Sequence, residues 1–164
     1  SVGGSLVDEK MLDTAKRIIN KARVKGVKLS LPIDVICGSS PTESEVMGTF
    51  LIQDIPDDYM GLDIGPETLS MYNSILGNSN TILWNGPMGV FENRQFEQGT
   101  REMAIHMVSC ISNGSKVIVG GGDTAAALES FGLLKEMSHV STGGGASLEL
   151  LSGNQLPALR SLER

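Results

Sequence analysis

The apolar positions along this chain follow two alternating patterns, one typical of helices and the other of strands. Helical spacing begins after Ser5 and ends at Gly26. The apolar residues at that spacing are Leu12, Ala15, Ile18, Ile19 and Ala22. Acidic residues early in this segment and basic residues late in it match the helix dipole. The same kind of pattern predicts further helices over residues 66–76, 95–112, 123–131 and 146–151.

Short apolar runs lie between these helices and predict strands. They cover residues 28–37 (interrupted by Pro32), 46–55, 61–65, 81–84, 116–119 and 138–141. Strands and helices therefore alternate, an order that implies a mostly parallel sheet with right-handed crossovers and helices on both faces. The predicted fold class is α/β, a three-layer αβα Rossmann-like arrangement.

The composition fits one globular domain and argues against several classes of function. Apolar residues make up 40% and charged residues 20% of the 164 residues, which is close to the average for globular domains. The formal charge of −6 and the lack of a basic cluster argue against nucleic-acid binding. No apolar run is long enough to predict a membrane helix. An acidic chain binds anions locally, through backbone N–H groups and helix N-termini.

The segment Gly120-Gly121-Gly122-Asp123-Thr124 follows a predicted buried strand and opens a predicted helix. Glycine accepts positive φ and lets a phosphate approach without meeting a Cβ atom. The free N–H groups of the first helical turn then point at the anion. Two interpretations of Asp123 stay open at this point, because its carboxylate suits either a helix cap or a ligand of Mg²⁺ bound to phosphates.

A second triplet, Gly143-Gly144-Gly145, repeats this design after the next predicted strand, which ends at Ser141 and Thr142. The carboxyl ends of neighbouring parallel strands lie at one edge of a sheet, where such sheets bind ligands. One glycine-rich turn is weak evidence for a ligand site, whereas two on adjacent strands are much stronger. The pair predicts a phosphate-binding edge.

The third segment, WNGPMGVFE over residues 84–92, leaves another strand at the same edge. Its tight turns leave room for a flat ligand, and Glu92 offers a carboxylate suited to ribose hydroxyls. The alternative is an ordinary loop with an exposed glutamate. The chain contains no GxxxxGK[ST] motif, and neither a catalytic triad nor a zinc motif is present.

These three segments, in this order, resemble the phosphoglycerate kinase family. The matching stretches are WNGPMGVFE (84–92), GGGDTAAA (120–127), HVSTGGGASLELL (139–151), GGSLVDEK (3–10), MGLDIGP (60–66) and the Leu156-Pro157 pair. They span essentially the whole chain. Two departures are visible: the segment over residues 37–50 lacks the charged run that is common in the family, and Tyr59 stands where tryptophan is common.

The resemblance implies a set of site residues. Glu92 would bind the ribose, Asp123 would be the Mg²⁺ ligand, and Gly121 and Gly144 would be catalytic positions. The nucleotide contacts that it implies are Gly61, Leu62, Asn85, Gly86, Pro87, Met88, Phe91, Glu92, Gly121, Gly122, Asp123 and Thr124. The residues that it implies for stabilising the transferred phosphoryl group are Gly143, Gly144 and Gly145. Ser141 and Thr142 would lie at a hinge.

The resemblance also implies the reaction and its partners. The family transfers a phosphoryl group directly between 1,3-bisphosphoglycerate and Mg-ADP, giving 3-phosphoglycerate and ATP. Residues 1–164 resemble the latter part of the C-terminal, nucleotide-binding domain, so we expect one partial domain that binds ATP or ADP with Mg²⁺ and is inactive alone. The glycerate substrates would bind through an N-terminal domain. The full-length enzyme would be a cytoplasmic monomer (a plastid form is the alternative) without nucleic-acid or membrane partners.

Two other functions are compatible with parts of the sequence. The stretch VIVGGGDTAAA resembles a dinucleotide fingerprint, with Gly120, Gly122 and Ala125 at the key places. A flavin- or NAD-dependent oxidoreductase, however, needs an acidic residue after the next strand, and Ser141 and Thr142 stand there. The second alternative is a nucleotide-binding module without catalytic activity.

Overall fold

The computed structural model describes residues 2–43, 45–141, 145, 149 and 152–153. The strands formed by these residues are β1 (Asp34–Gly38), β2 (Gly48–Leu51), β3 (Met60–Ile64), β4 (Thr81–Asn85), β5 (Lys116–Gly120) and β6 (His139–Ser141). The α-helices are α1 (Leu12–Val24), α2 (Pro66–Gly77), α3 (Gln98–Ser112) and α4 (Gly122–Ser130). Short 3₁₀ turns occupy Glu9–Met11 and Leu134–Glu136. The predicted helix over residues 146–151 and the tail lie largely outside the described residues.

The parallel sheet has the strand order β4-β5-β6. Its core face carries Ile82, Trp84, Val117 and Val119, which pack against side chains of α3 and α4. On the opposite face Leu83 is 46% exposed. The α/β class with a parallel sheet is confirmed, and α2, α3 and α4 supply one of the two helical layers that the sequence predicted.

A second sheet is antiparallel, with β1 between β2 and β3. The alternation of elements did not predict it. The extended segment before β1 also forms no strand until Asp34, two residues after Pro32. Because proline has no N–H to donate to a ladder, pairing begins only beyond it.

Helix α1 is amphipathic but packs little within the described part of the chain. Asp8 accepts a hydrogen bond from the N–H of Lys10 at 3.1 Å, and Gly26 takes the positive φ of 66° that ends the helical segment. None of the α1 residues is buried, and Ile18 and Ile19 are about half exposed. The predicted helix is therefore confirmed, while its apolar stripe faces away from the core.

Helix α2 begins where the sequence predicted, and its N-terminus is capped by a residue from another element. Pro66 occupies its first position, where no N–H is needed. The carboxylate of Asp34 on β1 accepts hydrogen bonds from the N–H groups of Glu67 (3.0 Å) and Thr68 (2.7 Å) and from the Thr68 hydroxyl (2.6 Å). Asp34 thereby satisfies donors that the first turn of a helix leaves free.

Helix α3 starts at Gln98, three residues later than predicted. The intervening residues form turns instead: Asn93 accepts hydrogen bonds from the N–H groups of Gln95 (through its side chain, 3.1 Å) and Phe96 (through its carbonyl, 2.9 Å). Phe96 is fully buried. Local side-chain hydrogen bonds of asparagine compete with helix formation in this way.

Candidate functional site

The three segments singled out in the sequence begin at one edge of the parallel sheet. Asn85, the last residue of β4, is paired with Gly120 at the end of β5, and Gly120 is paired with Ser141 at the end of β6. The loops that follow β4 and β5 therefore leave the sheet side by side. This carboxyl edge is where open parallel sheets bind their ligands.

The first glycine loop leaves open space at the start of α4. Gly121 adopts a φ of +91°, and a Cβ there would lie 3.0 Å from the Oδ1 of Asn85. A Cβ at Gly122, the first residue of α4, would meet no described atom within 4 Å. A helix N-terminus with open space beside its first residue suits an anion such as phosphate.

Asp123 lies in the first turn of α4, with its side chain exposed. The residue before the helix is Gly121, so no side chain caps α4 from that position. Within the described ranges no group of three or more His, Cys, Asp and Glu side chains could hold a metal ion. A single carboxylate fits Mg²⁺ bound mainly by phosphate oxygens and water, which is how this ion is held in many nucleotide sites.

Thr124, unlike the exposed Asp123 beside it, lies in the interior. Its side chain is fully buried, and its hydroxyl accepts a 2.7 Å hydrogen bond from the N–H of Gly86. This bond joins the first turn of α4 to the loop that follows β4. Thr124 therefore fixes the distance between the two loops.

The 86–92 loop is held along its length by hydrogen bonds. The indole N–H of Trp84 donates to the Gly86 carbonyl at 2.7 Å. The buried hydroxyl of Thr100 on α3 accepts from the N–H groups of Met88 (3.0 Å) and Gly89 (3.3 Å). The N–H of Val90 donates to the Leu62 carbonyl at 2.9 Å. Three neighbouring elements thus fix the loop before any ligand is present.

Glu92 is exposed and lies between two open cavities. One, of about 670 Å³, is also lined by Val90, Asn93 and Arg94. The other, of about 350 Å³, is also lined by Phe91, Arg94 and Arg101. The Asn93 amide donates to the carbonyls of Pro41 (3.0 Å) and Glu43 (2.8 Å), and Pro41 also lines the larger cavity. The larger cavity is of the size that small-molecule ligands occupy.

The other residues predicted to contact the nucleotide lie on several elements. Pro87 and Met88 are partly buried within the same loop, whereas the Leu62 side chain is buried in β3. Gly61 on β3 donates its N–H to the hydroxyl of Ser5 at 3.0 Å. Of the second glycine loop, Gly145 is described and exposed. Thr142, Gly143 and Gly144 lie outside the described residues.

Comparison with known proteins gives the family. A family model described as phosphoglycerate kinase matches residues 1–154. The chain belongs to the phosphoglycerate kinase family. Phosphoglycerate kinases from Thermosipho africanus and Synechococcus elongatus are 47% and 48% identical to it over 163 residues. These alignments cover 99% of this chain and 40% of each relative. Family membership leaves the oxidoreductase alternative without support.

Solved structures of phosphoglycerate kinases are similar to the whole fold. The structure from Coxiella burnetii has a TM-score of 0.89 at 41% identity, over 98% of this chain and 41% of that one. The structure from Pyrococcus horikoshii has a TM-score of 0.75 at 29% identity, over 94% and 37%. The chain therefore spans about two fifths of the length of the phosphoglycerate kinases it matches.

In the described part of the chain, no helix combines the length and apolarity needed to cross a bilayer.

Sequence reasoning missed the residues that support the loop. Thr100 offered no signal, because a threonine near a helix start is ordinary. Asp63 offered one, since a carboxylate inside the apolar strand β3 needs a partner when buried. It is 3% exposed, and its carboxylate accepts hydrogen bonds from the N–H groups of Ile64 (2.8 Å) and Gly99 (2.6 Å). Asp63 thus caps α3 as Asp34 caps α2.

The two buried carboxylates have pKa shifts of opposite direction. Burial raises the pKa of Asp63 from its ordinary 3.8 to about 6, against the smaller effect of two backbone hydrogen bonds. Burial also acts to raise the pKa of Asp34, but hydrogen bonds from Thr68 and Glu67 outweigh it and lower that pKa. An ionised Asp63 is therefore costly to the fold, whereas an ionised Asp34 is favourable.

We expect Asp63→Asn to change how stability depends on pH. Because the folded-state pKa of Asp63 exceeds the unfolded value, the native state binds the proton more tightly. The stability contribution is thus present below about pH 4 and lost as the pH rises towards 6. Relative to wild type, the free energy of unfolding of Asp63→Asn should therefore rise by about 2–2.5 kcal/mol between pH 4 and 7. Urea unfolding followed by the fluorescence of Trp84, the single tryptophan, measures this difference.

Asp34→Asn is the matched control. Its carboxylate is ionised in both folded and unfolded states above about pH 5, because its folded-state pKa lies below 3.8. The difference between Asp34→Asn and wild type should stay constant from pH 5 to 7. A pH-independent difference for Asp63→Asn over pH 4–7 would contradict the raised pKa.

Proposed function

We propose that this chain is the ATP/ADP-binding part of a phosphoglycerate kinase. The reaction is the reversible transfer of a phosphoryl group between 1,3-bisphosphoglycerate and Mg-ADP, giving 3-phosphoglycerate and ATP in glycolysis, in the cytoplasm. Residues 1–164 form the latter part of its C-terminal nucleotide-binding domain. The observation that carries the proposal is the convergence of Asn85, Gly86 and the Gly121–Gly122 turn at one sheet edge, with open space at Gly86 and Gly122.

The nucleotide is positioned by the two coupled loops. Its ribose hydroxyls bind the exposed carboxylate of Glu92, beside a cavity of suitable size. Its phosphates bind the first turn of α4, where Gly121 and Gly122 let the backbone come close. The Thr124–Gly86 hydrogen bond keeps these two subsites at a fixed separation. The remaining contacts that we assign to the nucleotide are Gly61, Leu62, Asn85, Pro87, Met88 and Phe91.

The chemistry is in-line phosphoryl transfer, without a covalent enzyme intermediate. Mg²⁺, when bound with the nucleotide, neutralises phosphate charge, and Asp123 is the residue of this chain that would hold it. The N–H groups at Gly121 and at the second glycine loop, Gly143 to Gly145, donate to the phosphoryl oxygens. Donors fixed before the reaction lower the barrier by positioning and by electrostatic stabilisation.

The glycerate substrates require a further part of the protein. The chain spans 40% of its relatives, and its own charge of −6 offers little attraction to a doubly phosphorylated acid. We therefore infer that the glycerate binds a separate domain and that residues 1–164 alone bind nucleotide without catalysing the transfer.

A chimera tests the proposed function. Residues 1–164 replace the matching 163 residues of the Thermosipho africanus phosphoglycerate kinase, and the product is assayed for formation of ATP from 1,3-bisphosphoglycerate and Mg-ADP. We expect turnover within tenfold of the parent kinase from the chimera and none from residues 1–164 alone. The same chimera carrying Asp123→Ala, purified in parallel, controls for host kinase. A folded chimera without activity, or turnover by residues 1–164 alone, would contradict the proposal.

A further inference from the structure

The 86–92 loop depends on a support from a neighbouring helix. The support is the first turn of α3, where the Thr100 hydroxyl accepts the N–H groups of Met88 and Gly89. These bonds fix the middle of the loop between the Gly86 end and Glu92. The position of α3 along its axis therefore decides where the loop lies.

The start of α3 is fixed in turn by Asp63. One carboxylate oxygen accepts the N–H of Gly99 at 2.6 Å, and the other accepts the N–H of Ile64 at 2.8 Å. The two carboxylate oxygens accept hydrogen bonds from different N–H groups. An amide in place of the carboxylate would therefore point its NH₂ group at one of these donors. Asparagine can satisfy only one of the two bonds.

Asp63 also contacts the loop directly. A Cβ at Gly89 or at Gly99 would collide with the Asp63 carboxylate, so both glycine backbones pack closely against it. The preceding residue, Leu62, accepts the N–H of Val90 at 2.9 Å. Two consecutive residues of β3 thus hold the loop, Leu62 by a hydrogen bond and Asp63 both by close packing and through α3.

From this geometry we propose that Asp63 is a positioning residue for nucleotide binding, which holds the 86–92 loop in its binding conformation through Gly99 and Gly89. The inference rests on the proposed function of the chain. A carboxylate buried without a cationic partner normally costs stability, and the raised pKa of Asp63 indicates such a cost. Asp34 shows that a helix in this fold can be capped in trans by a carboxylate with a lowered pKa.

The test compares Asp63→Asn with Asp34→Asn in the chimera. Each variant weakens the cap that a β-strand carboxylate provides to the start of a helix. Helix α3 supports the loop, whereas α2 makes no hydrogen bond with the loop in the described structure. We expect Asp63→Asn to raise KM for Mg-ADP about tenfold, with kcat and KM for 1,3-bisphosphoglycerate changed less than twofold. Asp34→Asn should leave all three within twofold, assayed well below the unfolding temperature of each variant.

A second variant keeps the inference testable if Asp63→Asn does not fold. Thr100→Val preserves side-chain volume and removes the hydroxyl that holds Met88 and Gly89, so it interrupts the same support one step nearer the loop. It should raise KM for Mg-ADP in the same way. If the chimera is active and Asp63→Asn leaves the KM for Mg-ADP unchanged, the inference is wrong but the proposed function stands. Thr100→Val takes the place of Asp63→Asn in this comparison if Asp63→Asn does not fold. An inactive parent chimera overturns the proposed function and this inference together.

Discussion

Replacement of Asp123 by alanine is expected to lower kcat/KM for Mg-ADP in the chimera by about 10²–10³-fold, or roughly 2–4 kcal/mol of transition-state stabilisation. The carboxylate is exposed at the start of α4, beside the open backbone of Gly122. The expected loss follows from the proposed role of Asp123 as the Mg²⁺ ligand. Initial-rate kinetics at varied Mg²⁺ measure the loss, which higher Mg²⁺ should restore only in part.

Glu129 supplies the matched control, because it is an exposed acid on the same helix at the opposite end. Glu129→Ala should leave kcat/KM within twofold. Isothermal titration with Mg-ADP extends the comparison to binding, where Asp123→Ala and Glu92→Ala should both weaken affinity. If Asp123→Ala instead lowers stability and leaves binding intact, Asp123 is a helix cap and the site must be placed elsewhere.

The sequence was sufficient for the features that rest on local chemistry. The glycines at 120–122 predicted both the end of β5 and the start of α4, because few other residues accept the backbone at Gly121. Pro66 predicted the start of α2 in the same way. The roles of individual site residues stay predictions, since they depend on a ligand and on residues beyond the described ranges.

Features that rest on distant partners were not predictable. The antiparallel sheet depends on β1 pairing with β2 and β3, and periodicity does not say which strands pair. The caps of α2 and α3 come from Asp34 and Asp63, more than thirty residues away in each case. Thr124 shows the same limit, because the motif did not predict that its hydroxyl accepts the N–H of Gly86.

Two apolar surfaces are exposed in the part of the chain that the structure describes. Ile18 and Ile19 on α1 are about half exposed, and Leu83 is 46% exposed on the face of the sheet that α2, α3 and α4 leave uncovered. Parallel sheets normally have both faces covered. The chain spans 40% of the length of its relatives.

Replacement of Trp84 by alanine is expected to lower the free energy of unfolding by about 3–5 kcal/mol. The indole is 4% exposed and belongs to the core shared by the parallel sheet and α3. Its loss leaves a cavity and also removes the 2.7 Å hydrogen bond to the Gly86 carbonyl. Urea unfolding of residues 1–164, followed by far-ultraviolet circular dichroism because the tryptophan is gone, measures the change.

Two comparisons separate packing from the hydrogen bond. Trp84→Phe keeps most of the apolar volume and loses the donor, so it should cost about 1–2 kcal/mol, near the value of a partly buried hydrogen bond plus a small cavity. Leu83→Ala, next to it on the exposed face of β4, should cost less than about 1 kcal/mol. If Trp84→Ala lowers the free energy of unfolding no more than Leu83→Ala does, the core does not centre on β4. The base of the 86–92 loop would then lack the rigid strand from which we argue its geometry.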